Sequence, residues 1–292
     1  MAMPAMRAPA VAGLFYPGTA DALQQQIQRC FLDAPGPGRL PLAAPEGPRQ
    51  ILGLVVPHAG LVYSGHVAAH AYQHLAEDGL VEVAIILAPN HHGLGADNAV
   101  WPEGGWETPL GNMPVAADVA AAILEATPLA HADPMAQLRD HAIEVQLPFL
   151  QLLYGAGLSI VPISMKRYEL DAAIELGEAI ATAMAGRNAV VIASCDFTHH
   201  EPASRARTQD ERALEMIEHL DPAGLFRQVQ THGITTCGYG PVAAMLAAAR
   251  RMGAVSAQRL AYHTSGEVTG DYDRVVAYAA LKVMRPASGQ ES

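Results

Sequence analysis

Cysteine is scarce in this chain. Only Cys30, Cys195 and Cys237 occur among 292 residues, too few and too scattered for the disulfide framework that staples small secreted domains. Positive charge is short as well, with 18 Lys and Arg against 29 Asp and Glu and a formal net charge of -11. Such a surface repels a phosphate backbone and anionic lipid headgroups, so neither nucleic acid nor a membrane is expected as a partner. No apolar run approaches the roughly 20 residues that span a bilayer. The opening MAMPAMRAPAVAGLFYPG breaks its short apolar pieces with Pro and Gly and lacks the continuous core of a signal peptide. A reducing cytoplasm is the expected compartment. Aromatics are only 5% and charged residues 16%, yet half of the chain is apolar, which points to a large core of Ala, Leu and Val and excludes disorder.

Short runs rich in Val and Ile recur at 51–56 (ILGLVV), 83–88 (VAIILA), 158–163 (LSIVPI) and 189–194 (AVVIAS), each the length of a buried strand. Between them Ala and Leu return every three or four residues at 20–32, 65–77, 115–126, 141–154, 169–185, 206–218 and 238–252, the spacing of helices with one apolar face. Strands alternating with helices predict an α/β fold with a largely parallel sheet covered by helices. The run RVVAYAALKV from Arg274 alternates and predicts a late strand that makes the sheet mixed. One domain over 1–292 is expected, because α/β cores often fill this length. The Pro and Gly cluster at 34–48 then reads as a surface loop, and residues 285–292 as a flexible tail.

Chemistry concentrates just past the strand ends. ILGLVVP runs into His58, VAIILAPN into His91 and His92, and AVVIASC into Asp196, Thr198, His199 and His200. In open α/β sheets the ligand crevice lies outside the carboxyl ends of the strands, so these groups are expected to converge. Neutral imidazoles are the commonest transition-metal ligands, and His58 with a histidine of the second cluster makes half of a site. Cys237, where GITTCGYGP turns into a helical pattern, is the strongest candidate for a third ligand, and a helix N-terminus favours the thiolate. The same thiolate would serve as a nucleophile. Neighbouring residues on extended chain face opposite ways, leaving His91 or His92, and His199 or His200, to be chosen. Asp196 and His199 are spaced for a carboxylate that orients a general acid or base. In RDHAIEVQLPFL, His141 and Glu144 fall on one helix face and are candidates to contact a substrate.

Other patterns carry less. His66, His70 and His74 form a helical stripe, but Val67 stands where a metalloprotease helix has Glu. Gly238, Gly240 and Ala243 match a dinucleotide fingerprint without the preceding buried strand or a later acidic residue. Cys30 and Cys195 read as small core residues. Neither the GxSxG elbow nor the GxxxxGK phosphate loop occurs.

The stretches AGLFYP, VVPHAGLVYSGHVAAHAY, LAPNHHG, DHAIEVQLPFLQ, ASCDFTHH, TTCGYGP and RVVAYAALKV occur in this order over nearly the whole chain. Through them the sequence resembles the Memo family, also called AmmeMemoRadiSam system protein B. That resemblance implies a fold similar to the class III extradiol dioxygenases, with an α/β core around a mixed sheet. It implies one mononuclear metal ion on His58, His91 and Cys237, with Asp196 and His199 beside it, and so selects His91 and His199 from their pairs. The related dioxygenases use a carboxylate as third ligand, whereas this chain has a thiolate, which argues against catechol cleavage. Two imidazoles and a thiolate admit iron or copper first, and zinc. The function implied is a metal-dependent oxidoreductase acting on an unidentified small molecule, with a functional link to a radical S-adenosylmethionine protein. The alternative is a non-catalytic module that recognises a peptide or protein through the same pocket.

Overall fold

The computed structural model describes residues 6–286. Its centre is four parallel strands in the order Ile51–Val56, Ala189–Ser194, Val83–Pro89 and Ser159–Met165. They are buried on both faces almost throughout, which is why their sequences read as continuous Val and Ile runs. Val275–Met284 adds antiparallel to Ile51–Val56, and Ser256–Thr264 pairs antiparallel with that strand in turn. On the opposite side Asn98–Val100 runs antiparallel to Ser159–Met165 and carries the short strand His131–Ala132. The sheet is therefore mixed around a parallel centre, as the sequence pattern predicts. A separate small sheet joins Met6–Arg7, Gly105–Thr108 and Gly111–Pro114.

Side chains alternate between two cores, one on each face of the sheet. Leu52, Val55, Ile85, Leu87 and Val191 meet the helices Ala117–Ala126, Leu170–Ala183 and Tyr239–Arg251. Leu54, Val56, Ile86 and Ile192 meet Ala20–Leu32, Leu61–Asp78 and Leu147–Tyr154. Each fully buried Leu, Ile or Val contributes about 1.5–3 kcal/mol, so these two layers hold the strand ends rigidly in place. Gly177 allows one close approach: a Cβ there would lie 2.4 Å from the Ala244 carbonyl oxygen of the neighbouring helix.

The segment 141–154 departs from its expected helix. Only Leu147–Tyr154 is α-helical, preceded by a 3-10 turn at Glu144–Gln146. Pro148 is suited to the first turn of a helix and not its interior, and Asp140, Glu144 and Gln146 are engaged by distant partners. The helix expected from 65 starts at Leu61, and the one expected from 206 starts at Ala203. A helix at Pro222–His232 and the strand Ser256–Thr264 were not legible, the latter being half-buried and mixed in polarity. Residues 34–48 run as turns and irregular chain, tied down where Gly38 donates to Phe31 and Ala44 to Ala76. Of the expected tail, residues 287–292 lie outside the described residues. Among the described residues no helix is long and apolar enough to cross a membrane.

The strand Ala189–Ser194 does more than fill the sheet. Beyond its end the chain crosses toward Val275–Met284, where Phe197 and Thr198 bond Ala277 and His199–Glu201 pair with Val275 and Val276. This crossing lays Asp196 against His58.

Candidate metal centre

Pro57 follows the strand Ile51–Val56 and has no N–H to continue a ladder, so the chain turns and His58 enters the crevice. The ring is buried, and the main-chain N–H of His58 donates to Asp196 Oδ1 at 2.7 Å. Its tautomer follows from a chain of donors that begins at Gln146. Gln146 Nε2 donates to the Pro57 carbonyl at 2.9 Å, while Oε1 accepts from the Tyr72 hydroxyl at 2.8 Å. The same Nε2 donates to Ser194 Oγ at 2.9 Å, and that hydroxyl gives its own proton to the Ala142 carbonyl at 2.7 Å. With the Ser194 proton so placed, the 2.8 Å contact between His58 Nδ1 and Ser194 Oγ requires an imidazole N–H. Neutral His58 therefore carries its lone pair on Nε2.

His91 is arranged by the same logic from the end of Val83–Pro89. Asn90 closes the turn by accepting from Gly93 N at 2.9 Å. Asp140 then accepts from His91 N at 2.7 Å and from Nδ1 at 3.2 Å, so that the neutral ring carries its lone pair on Nε2. A carboxylate behind a histidine is the usual outer partner of a metal ligand. Burial alone would raise Asp140, but the His91 hydrogen bond and charge outweigh it and hold the carboxyl below its ordinary value. His92 is exposed and bonds the Arg139 carbonyl instead.

The rings of His58 and His91 lie 5.2 Å apart, and His141 stacks on His91 at 4.6 Å with Phe15 4.5 Å from His141. His58, His91 and His141 each offer a ligand atom, all within 4.8 Å of one another, and so form a group that could hold a metal ion. Burial, followed by the charges of the neighbouring histidines, pushes His58 well below its ordinary pKa. Burial and His91 likewise lower His141 to about 4. Both rings are thus neutral near pH 7, the form that ligates.

Cys237 is half-buried in the turn before Tyr239–Arg251, with Sγ 3.2 Å from His58 Nε2 and 3.5 Å from the Asp196 carbonyl oxygen. Its pKa is raised, first by the neighbouring Cys195 and then by burial. Asp196 is pushed up to about 6 by burial, against the opposing hydrogen bond from His58 N–H.

Two sequence expectations need correction. Asp196 does not orient the His199 imidazole: His199 Nδ1 donates to the Thr235 carbonyl at 2.8 Å, and Asp196 instead holds the main chain at His58. The His199 tautomer is still set, with its lone pair on Nε2. Glu144 is not a substrate contact. Its carboxylate accepts from Arg7 Nη1 at 2.6 Å, Tyr16 OH at 2.5 Å, Ala10 N at 2.8 Å and Val11 N at 3.0 Å, and both Glu144 and Arg7 have 0% side-chain exposure. The helix register that pairs it with His141 does not form.

Nothing in the sequence alone marks out Asp140, Ser194 and Thr235. Asp140 adjoins His141 and Ser194 adjoins Cys195, but only the folded sheet shows which imidazole each one serves. Thr235 comes from a loop that no periodicity marks.

A mixed α/β sheet with a histidine cluster at the carboxyl ends of its parallel strands defines this as a protein with a candidate metal centre. The model of the Memo-like protein family matches residues 7–282, and the chain belongs to that family. A MEMO1 family protein of Methanopyrus kandleri is 45% identical over 281 residues, covering 96% of this chain and 99% of the relative. Another, from Methanothermobacter thermautotrophicus, is 42% identical over 278 residues, covering 94% and 99%. An uncharacterized protein from Escherichia coli K12 shares the fold, with a TM-score of 0.57 at 15% identity over 80% of this chain and 99% of that one.

Proposed function

We propose that the centre holds one mononuclear metal ion, iron or copper with zinc also admitted, on His58, His91 and Cys237. The protein is then a cytoplasmic metal-dependent oxidoreductase resembling the class III extradiol dioxygenases and acting on a small molecule. The observation that carries this reading is the pair of hydrogen-bond chains that back Nδ1 of both His58 and His91 with fixed acceptors and so leave the lone pair of each neutral ring on Nε2. Cys237 is preferred to His141 as third ligand for two reasons. Sulfur and nitrogen ligands on one tetrahedral ion are about 3.6 Å apart by standard bond lengths, near the 3.2 Å between Cys237 Sγ and His58 Nε2. His141 also lacks an outer partner, since Asp140 Oδ1 is 4.0 Å from its Nδ1. His141 would lie beside the ion and packs on Phe15.

When bound, the ion supplies Lewis acidity and redox chemistry at its open positions. The chain's own residues position and protonate. Ser194 fixes the His58 ring and Asp196 its main chain, Asp140 fixes His91, and His199 accepts or gives a proton at Nε2. Oxygen uptake by iron- or copper-loaded protein across a broad panel of small molecules tests the reading. No consumption and no turnover with either metal would refute it.

A second reading, a module that recognises a peptide or protein through the same pocket, is favoured by one feature. Leu14 is 82% exposed next to Phe15, whose ring packs on His141. The family resemblance suggests a functional link to a radical S-adenosylmethionine protein. Capture of a partner that survives His91→Ala and Cys237→Ala would favour this reading over catalysis.

A further inference from the structure

Cys237 has a second thiol beside it that the proposed centre does not use. Cys195 follows Ser194 at the end of the strand Ala189–Ser194 and is 1% exposed. Both thiols point at one acceptor, the Asp196 carbonyl oxygen, 3.3 Å from Cys195 Sγ and 3.5 Å from Cys237 Sγ. The chains that carry them are pressed together. A Cβ on Gly238 would lie 2.6 Å from Cys195 Cβ and 2.8 Å from Cys195 Cα, and Cys237 N donates to Asp196 O at 3.2 Å. Close approach of main chains is what a disulfide requires, its Cα atoms lying roughly 4.4–6.8 Å apart.

We propose that Cys195 and Cys237 are an oxidation site that closes to an intramolecular disulfide when the protein meets a peroxide. Cys237, the more exposed of the two, reacts first: its sulfur attacks hydrogen peroxide, the O–O bond breaks, and sulfenic acid and one water result. The Cys195 sulfur then attacks the Cys237 sulfur, the S–O bond breaks, and the hydroxyl leaves with the Cys195 proton as a second water. Two electrons pass from the thiols to the peroxide, and no other reactant is needed. Cys195 is buried, so it resolves the sulfenic acid from inside the protein without meeting the oxidant itself.

Cys30 is the internal control, a separate buried thiol raised to about 12 by burial. Disulfides in a reducing compartment are usually transient and redox-sensing. The pair has a consequence for the metal, which rests on Cys237 being a ligand: a sulfur tied to Cys195 has no thiolate to give. The disulfide itself needs no such assumption.

Chelator-treated protein exposed to hydrogen peroxide, denatured and assayed for thiols, with peptide mapping by mass spectrometry, tests this. Free thiols should fall from three to one, with a Cys195–Cys237 crosslinked peptide 2 Da lighter than its reduced parts. In Cys195→Ser the crosslink should vanish and Cys237 should instead react with dimedone, a sulfenic acid trap, while circular dichroism confirms that the variant is folded. Three remaining thiols, a Cys237 sulfinic acid beside reduced Cys195, or a crosslink to Cys30 would each overturn the proposal. Iron uptake by the oxidised protein is a separate readout. A crosslink that forms while uptake is unchanged supports the disulfide and refutes Cys237 as ligand.

Discussion

Replacing Glu144 with Ala separates a structural role from a role in substrate binding. The carboxylate takes hydrogen bonds from Arg7, Tyr16 and the main chain at Ala10 and Val11, so one substitution removes four of the bonds that hold the segment 7–16. Arg7 would keep its bonds to the carbonyls of Gln137 and Asp140 and its position over the Trp106 ring, yet remain a buried charge with no counter-ion. Removing one partner of a buried pair costs about 3–5 kcal/mol, which for a chain of this length lowers Tm by roughly 5–8 °C. The exposed pair Arg187–Asp118 is the matched control, and its loss through Asp118→Ala should cost less than about 1 kcal/mol. Because Arg7 also bonds the Asp140 carbonyl, the loosening should reach His91. Thermal and urea denaturation of both variants measure the difference. A Glu144→Ala protein that melts within about 1 °C of wild type would refute this reasoning.

Three further outcomes follow from the same geometry. Asp140→Asn should leave the protein folded and weaken metal binding about 10–100-fold by removing the carboxylate behind His91, as read by competition with a chelator. Asp210, buried against Thr198 and Tyr262, is raised by burial from 3.8 to about 6. The folded state therefore binds more protons there than the unfolded state, and stability falls as pH rises from about 4 through about 6, by roughly 3 kcal/mol in all. The denaturation free energy of wild type minus that of Asp210→Asn should decline over this window, and a flat difference would refute the assignment. Gly177→Ala, which forces the helix Leu170–Ala183 against the Ala244 carbonyl, should destabilise by about 1–3 kcal/mol in urea.

The central strands were legible because burial on both faces leaves unbroken Val and Ile runs, as at Ile51–Val56 and Ala189–Ser194. Their order was not legible, because crossovers through helices leave no local signature. His58 and His91 were visible as polar residues at the ends of apolar runs. Their partners were not, since the Ser194 hydroxyl and the Asp140 carboxylate reach them across distant segments of chain. The pairing of His141 with Glu144 failed for a local reason: the helix begins at Leu147 and leaves both residues outside it. Cys195 illustrates the opposite limit. Its core-like burial is legible in the sequence, while its approach to Cys237 depends on Gly238 and appears only in the folded chain.

Metal content measured by element analysis of the purified protein beside His58→Ala, His91→Ala, Cys237→Ala and His141→Ala tests the central claim most directly. A single ion per chain in wild type, lost from the first three variants and kept in His141→Ala, is the result expected of the proposed ligand set. Equal metal in wild type and all four variants would contradict it.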